Sequence, residues 1–140
     1  MLIRRKEILN EDYQVINELR ALAIDTIDYA NSGHPGVCLD SATIFYTLFS
    51  RHLKFDRHNA NWYNRDRLVL SAGHVVPLIY SIMYMLDILS LVDLKNLRRF
   101  NSITPGHPEI KTPFMECTTG PLGQGVATSV GMAITERYLN

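Results

Sequence analysis

The sequence predicts an α/β fold, rich in helix and with an incomplete parallel sheet. Three observations point to it. Apolar residues recur at spacings of three and four over several stretches, the period of helices with one buried face. One short β-branched run, Leu68-Val69-Leu70, stands between Asp66-Arg67 and Ser71-Ala72-Gly73. An apolar run without alternation suits a parallel strand buried on both faces. A helical pattern then follows that run, as a parallel crossover requires, although one strand alone is too few for a doubly wound sheet.

Residues 11–31 read as the first helix, with Val15, Leu19, Leu22, Ala23, Thr26 and Ala30 along one face and Asn31-Ser32-Gly33 as the stop. Asp40 to Leu53 reads as the second, with Ile44, Leu48 and His52 or Leu53 on one side and Phe45 and Phe49 beside them. Residues 54–66 are a polar connection leading to the strand. A third helix is expected from Val76 to Leu89, where Pro77 suits the first turn, and a fourth from Leu91 to Phe100. Pro105, Pro108 and Pro113 make residues 101–117 a loop. The last helix starts near Leu122 and runs to the end. Residues 1–10 read as an N-terminal extension, and no repeat, linker or low-complexity tract divides the rest.

Composition narrows the function classes. The chain has 140 residues, one domain's worth, with 46% apolar and 20% charged residues, as in ordinary soluble domains. Its 14 basic and 14 acidic residues cancel, which argues against a nucleic-acid or membrane-surface partner. Arg4, Arg5 and Lys6 precede no apolar segment, and Glu7, Glu11 and Asp12 speak against a transit peptide. The stretch Val75 to Leu89 is shorter than the roughly 20 apolar residues that span a bilayer. Cys38 and Cys117 form no Cys-x-x-Cys pair and read as free thiols. A cytoplasmic protein is the expectation.

The chemistry concentrates in four motifs: Ser32-Gly33-His34-Pro35-Gly36, Ser71-Ala72-Gly73-His74, Thr104-Pro105-Gly106-His107-Pro108 and Thr118-Thr119-Gly120-Pro121-Leu122-Gly123-Gln124-Gly125. Glycine lets a ligand approach the backbone, proline stiffens the loop, and histidine exchanges protons near neutral pH. A lone Gly-His-Pro is most simply a turn. His74 follows the expected strand, where α/β folds bind ligands. His52 and His58 lack such a setting and read as solvated or core-edge residues. The histidines are not spaced i, i+4 and lack a cysteine pair, so a metal cluster is not expected. The turn at 120–125 could hold an anion at a helix N-terminus. Its glycines, with Ala127, Ser129, Gly131 and Ala133, equally suit close helix packing.

Together the motifs resemble the N-terminal, thiamine-diphosphate-binding domain of transketolases, over about Glu11 to Asn140. Arg65-Asp66-Arg67-Leu68-Val69-Leu70-Ser71 before His74 belongs to the likeness. Deoxyxylulose-phosphate synthases share glycine-histidine loops, but not this Thr-Pro-Gly-His-Pro-Glu loop joined to Thr-Gly-Pro-Leu-Gly-Gln-Gly. The resemblance implies the first part of a three-layer domain and transfer of a two-carbon ketol unit from a ketose phosphate to an aldose phosphate. It implies His34 and His107 as catalytic residues, near the sugar C3 hydroxyl and C1 respectively. His74 is then placed at the cofactor diphosphate, with Gly120, Pro121 and Leu122 beside the thiamine rings. Thiamine diphosphate and Mg2+ or Ca2+ are the implied cofactors. The metal ligands, a Gly-Asp-Gly and a downstream Asn, fall outside this chain, as does the glutamate that activates the aminopyrimidine.

The same resemblance implies sugar-phosphate substrates and either a second polypeptide completing the site or a homodimer. The chain is therefore expected to be a fragment or one piece of a split enzyme, inactive alone. The alternative is a non-catalytic relic that docks on full-length transketolase subunits. Three departures stand out. Val37-Cys38-Leu39-Asp40 replaces a common Ala-Pro-Met-Gly, Val75-Val76-Pro77 is bulkier than the usual glycine-serine form, and Phe114 sits where many relatives have glycine. Asp40 would weaken binding if it faced an anionic ligand, and would be harmless as a helix cap.

Overall fold

The computed structural model describes residues 9–139; most of the expected N-terminal extension, with Arg4, Arg5, Lys6 and Glu7, lies outside them. Five α-helices follow in order: α1 (Asn10–Ala30), α2 (Pro35–Arg51), α3 (Val76–Met85), α4 (Leu91–Lys95) and α5 (Gln124–Leu139), with a 3-10 turn (Gly73–Val75) leading into α3. The helix-rich part of the expected fold is therefore present. No strand is found among the described residues. Leu68–Leu70 runs without helix and Leu70 is buried, but a strand exists only with a neighbour to share its ladder, and the described residues supply none.

The core is built around α3. Every residue from Val76 to Met83 is buried, the signature of a helix surrounded by others. Helix α1 lays Ile16, Leu19, Ala23 and Thr26 against this core, and α2 adds Cys38 and Ala42, flanked by Phe45 and Phe49. The face expected for α1 is the face that packs. On α2 the expected stripe is corrected: Ile44 is 67% exposed, and the core side follows Cys38, Ala42, Phe45 and Phe49 at spacings of four, three and four.

Helix boundaries also differ from expectation. The first helix stops because Asn31 adopts a left-handed conformation, φ 51°, rather than through Gly33. Helix α2 begins at Pro35, five residues before the expected Asp40, because proline is accommodated at the first helical position with His34 as the N-cap. Asp40 therefore does not cap the helix; it is exposed within it. The fourth helix is only Leu91–Lys95, started by Ser90, whose side chain accepts from the Asp93 N–H. It yields to turns in which Arg98 (φ 61°) and Asn101 (φ 58°) are left-handed.

Helices α1 and α2 are joined by a polar knot. The Asp12 carboxylate accepts from the Leu9 N–H at 2.8 Å, from the Tyr46 hydroxyl and from Arg51 Nη2 at 2.7 Å. A buried carboxylate needs such partners to remain tolerable. A second buried ion pair, Arg65 with Glu116, fastens the polar connection to the end of the proline-rich loop. Phe114 nearby holds a left-handed backbone (φ 63°), which is why glycine is the easier residue there. Its ring lies edge-on to Phe55 at 5.9 Å and beneath Arg65.

Candidate functional site

Each histidine motif is held by a different local device. His34 is the N-cap residue of α2, immediately before Pro35. Gly33 packs on Ile27, so a Cβ there would come within 2.8 Å of that side chain. His74 lies in the 3-10 turn that feeds α3. His107 is carried by the proline-rich loop. Tyr80 Oη, buried in α3, donates to the Pro105 carbonyl at 3.0 Å. Thr104 Oγ1 donates to the Asp93 carbonyl at 2.7 Å, and Thr112 Oγ1 donates to the Ile103 carbonyl at 2.7 Å. Burial pushes the Tyr80 phenol well above its ordinary range, with the Glu109 charge adding to the effect against an opposing hydrogen bond involving Thr112.

These devices bring the motifs together. The His34 and His74 rings are 4.9 Å apart, tilted by 54°. His107 is near enough to both to feel their charge. Gly73 is wedged between loops: a Cβ on it would meet Pro108 Cδ at 2.8 Å, Thr119 Oγ1 at 3.0 Å and His107 Cδ2 at 3.3 Å. The second loop can thus touch the third and fourth only with glycine at 73. Thr119 closes the group. Its hydroxyl donates to the Leu70 carbonyl at 2.8 Å, and its N–H bonds the Pro108 carbonyl at 3.3 Å. His52 and His58 are exposed and belong to no such group; His58 Nε2 accepts from Arg57 Nε at 3.1 Å.

The glycine-rich turn separates packing from openness. Gly125 is buried because a Cβ would sit 2.6 Å from the Leu70 carbonyl oxygen and 2.7 Å from Ser71 Cβ. Gly120 and Gly123 have nothing within 4 Å of a Cβ, and Gly123 takes φ 89° to start α5. Pro121 and Leu122 are exposed. The two readings of the motif therefore fall on different residues: packing at Gly125, open backbone at 120–123.

Arg98 is the site residue that the motifs did not reveal. Its Nη1 donates to Ser32 Oγ at 2.8 Å, and its Nη2 lies 3.4 Å from His34 Nδ1. His107 is held below the ordinary imidazole value, chiefly by burial and then by the charges of Arg98, His34 and His74. At neutral pH it is therefore an uncharged ring able to donate and accept. Cys38, buried beneath His34, and half-buried Cys117 are both free. Burial pushes both thiols up, a hydrogen bond involving the Leu78 backbone opposing it at Cys38 and Glu116 reinforcing it at Cys117. A separate apolar hollow, lined by Phe49, Leu53, Phe55, Leu68, Met83 and Phe114 among others, shares no residue with the four motifs.

A family model, transketolase, thiamine diphosphate binding domain, matches residues 11–140. A transketolase of Staphylococcus aureus is 51% identical over 130 residues, which is 92% of this chain and 20% of the relative. The solved transketolase from Leishmania mexicana superposes with a TM-score of 0.87 at 41% identity, over 95% of this chain and 20% of that one. A Pichia stipitis transketolase solved in complex with sedoheptulose 7-phosphate does so with a TM-score of 0.82 at 45% identity, over 87% of this chain and 18% of that one. Fold and sequence define a thiamine-diphosphate-binding domain. The chain belongs to the transketolase family, and it spans about a fifth of the length of the relatives it matches.

Proposed function

We propose that this chain contributes one part of a transketolase site, in which a two-carbon ketol unit passes from a ketose phosphate to an aldose phosphate. The observation that carries the reading is the meeting of the three glycine-flanked imidazoles beside an open glycine turn. A likeness to transketolases at about half identity supports it. The residues fit thiamine diphosphate: the 120–123 backbone is open, Leu122 is exposed to meet a ring, and imidazole and guanidinium N–H groups suit an anionic, hydroxyl-rich ligand. When bound, thiamine diphosphate supplies the carbanion that makes and breaks the carbon–carbon bonds.

The chain's own residues bind and orient. His74 donates to the diphosphate. Gly120, Pro121 and Leu122 lie along the thiamine rings. His34 holds the sugar C3 hydroxyl by donating a hydrogen bond to its oxygen, and His107, as a neutral ring, hydrogen-bonds the oxygen near C1. Asp40 is exposed and lies beyond the first turn of α2. Among the described residues no group of three His, Cys, Asp or Glu is arranged to hold a metal ion, so no step is assigned to Mg2+ or Ca2+. No described helix is long and apolar enough to cross a membrane.

On this reading the remaining polypeptide, in the same chain, a partner or a second copy, completes the parallel sheet beside Leu68–Leu70 and the metal site. The 140-residue chain alone does not turn over. The test is ketol transfer from xylulose 5-phosphate to ribose 5-phosphate by the complete protein with thiamine diphosphate and Mg2+. His34→Ala and His107→Ala should each lower kcat by roughly 10²- to 10³-fold, the range for losing a hydrogen-bond donor at a reacting oxygen, with His52→Ala unchanged. Full activity in both variants, or no transfer by the intact protein, would reject the assignment.

A further inference from the structure

Arg98 lies outside every histidine motif yet touches two of the three histidine loops. Its Nη1 and Nη2 reach Ser32 and His34 of the first loop. Its side chain crosses Gly106 of the third, where a Cβ would lie 2.8 Å from Nε, 3.1 Å from Cγ and 3.2 Å from Cζ. Its backbone N–H bonds the Thr104 carbonyl at 3.0 Å. Two features work against this arrangement as a stability device. The residue adopts φ 61°, a left-handed conformation that costs a non-glycine residue energy. Its Nε is buried with no hydrogen-bond partner among the described residues.

We propose that Arg98 is a positioning residue that fixes His34 as the Nε2–H tautomer and keeps the first and third loops in register. The proposal rests on the transketolase reading for its catalytic consequence alone. A guanidinium donates hydrogen bonds and never accepts them. His34 Nδ1, facing Arg98 Nη2, must therefore offer its lone pair, which leaves the proton of the neutral ring on Nε2. Arg98 thereby makes His34 Nε2 a donor towards whatever lies on the far side of the ring. Because Ser32 Oγ accepts from Nη1, the serine hydroxyl keeps its own proton for a further partner. Gly106 is explained by the same contact, since only a residue without a side chain clears the guanidinium.

The test uses the complete protein labelled with ¹⁵N-histidine, in which long-range ¹H–¹⁵N correlations report the tautomer; His34→Gln identifies the His34 signals. The wild type should show the Nε2–H form. Arg98→Met should give a mixture of tautomers and lower kcat by roughly 10- to 100-fold, the range for partners that orient a functional imidazole. The KM for thiamine diphosphate should stay within about twofold. Arg98→Lys, which still donates, should restore the tautomer and part of kcat. Gly106→Ala, which displaces an intact Arg98, should resemble Arg98→Met. A wild-type Nδ1–H tautomer overturns the proposal even if every variant fails to fold. So does Arg98→Met with tautomer and kcat both unchanged. A tautomer switch in a protein without ketol transfer supports the positioning role and removes the function proposed above.

Discussion

His107 shows how a loop prepares an imidazole. Burial and the charges of Arg98, His34 and His74 disfavour its proton, so its folded value lies below the ordinary 6.5 or so of the unfolded chain. Between those two values the unfolded state binds more protons, so stability rises with pH there. His107's contribution is complete above about pH 6.5 and fades as pH falls through that value towards the folded one. His107→Asn should therefore lose less urea stability than the wild type between pH 7.5 and 5.5; an equal loss would deny the depressed value. The thiols give a second residue-scale prediction. With both raised by burial, native protein at neutral pH should react with a thiol reagent more slowly than free cysteine does. Cys117 should react before Cys38, and Cys38 only on unfolding. The histidines were legible because glycine and proline beside them carry local meaning. Arg98 was not, because its contacts cross 64 and 66 positions and it takes a left-handed conformation that glycine or asparagine would more readily adopt.

At the scale of elements, the sequence placed α1 correctly because its apolar period is unbroken, and misplaced the start of α2 because Pro35, which a first helical turn accepts, was left in the loop before it. The strand expected at Leu68–Leu70 has the right composition, but pairing is a property of two segments, and one apolar run cannot show whether its neighbour is present. What that run does instead is receive α5. Gly125→Ala would push a methyl group into the Leu70 carbonyl and Ser71 Cβ, atoms that move only with the backbone. The substitution should cost about 1–3 kcal/mol, read as a lower urea midpoint, while Gly131→Ala, with nothing within 4 Å, should hold or raise it. Equal midpoints would mean that α5 is not docked at Gly125. Tyr80→Phe removes the 3.0 Å bond to the Pro105 carbonyl and should cost about 1–3 kcal/mol by leaving a buried acceptor unmet. A neutral result would show that another donor reaches that carbonyl.

For the molecule as a whole, the informative surface is α5. Gly125 is its sole buried residue among those described, while Val126, Val130, Ile134 and Tyr138, at spacings of four, are more than half exposed. An apolar stripe of that kind is covered in a working protein, which agrees with relatives about five times as long. The 140-residue chain in isolation should self-associate through this stripe, and Val130→Asp with Ile134→Asp should shift it towards monomer in sedimentation velocity; an unchanged distribution would place the association elsewhere. The central claim remains that His34, His74 and His107 share one thiamine diphosphate pocket. It is tested most directly by titrating the complete, ¹⁵N-histidine-labelled protein with thiamine diphosphate and Mg2+. The imidazole signals of His34, His74 and His107 should move together at one saturating concentration, with those of His52 and His58 unmoved. Saturable binding that leaves any of the first three unchanged would contradict the shared pocket.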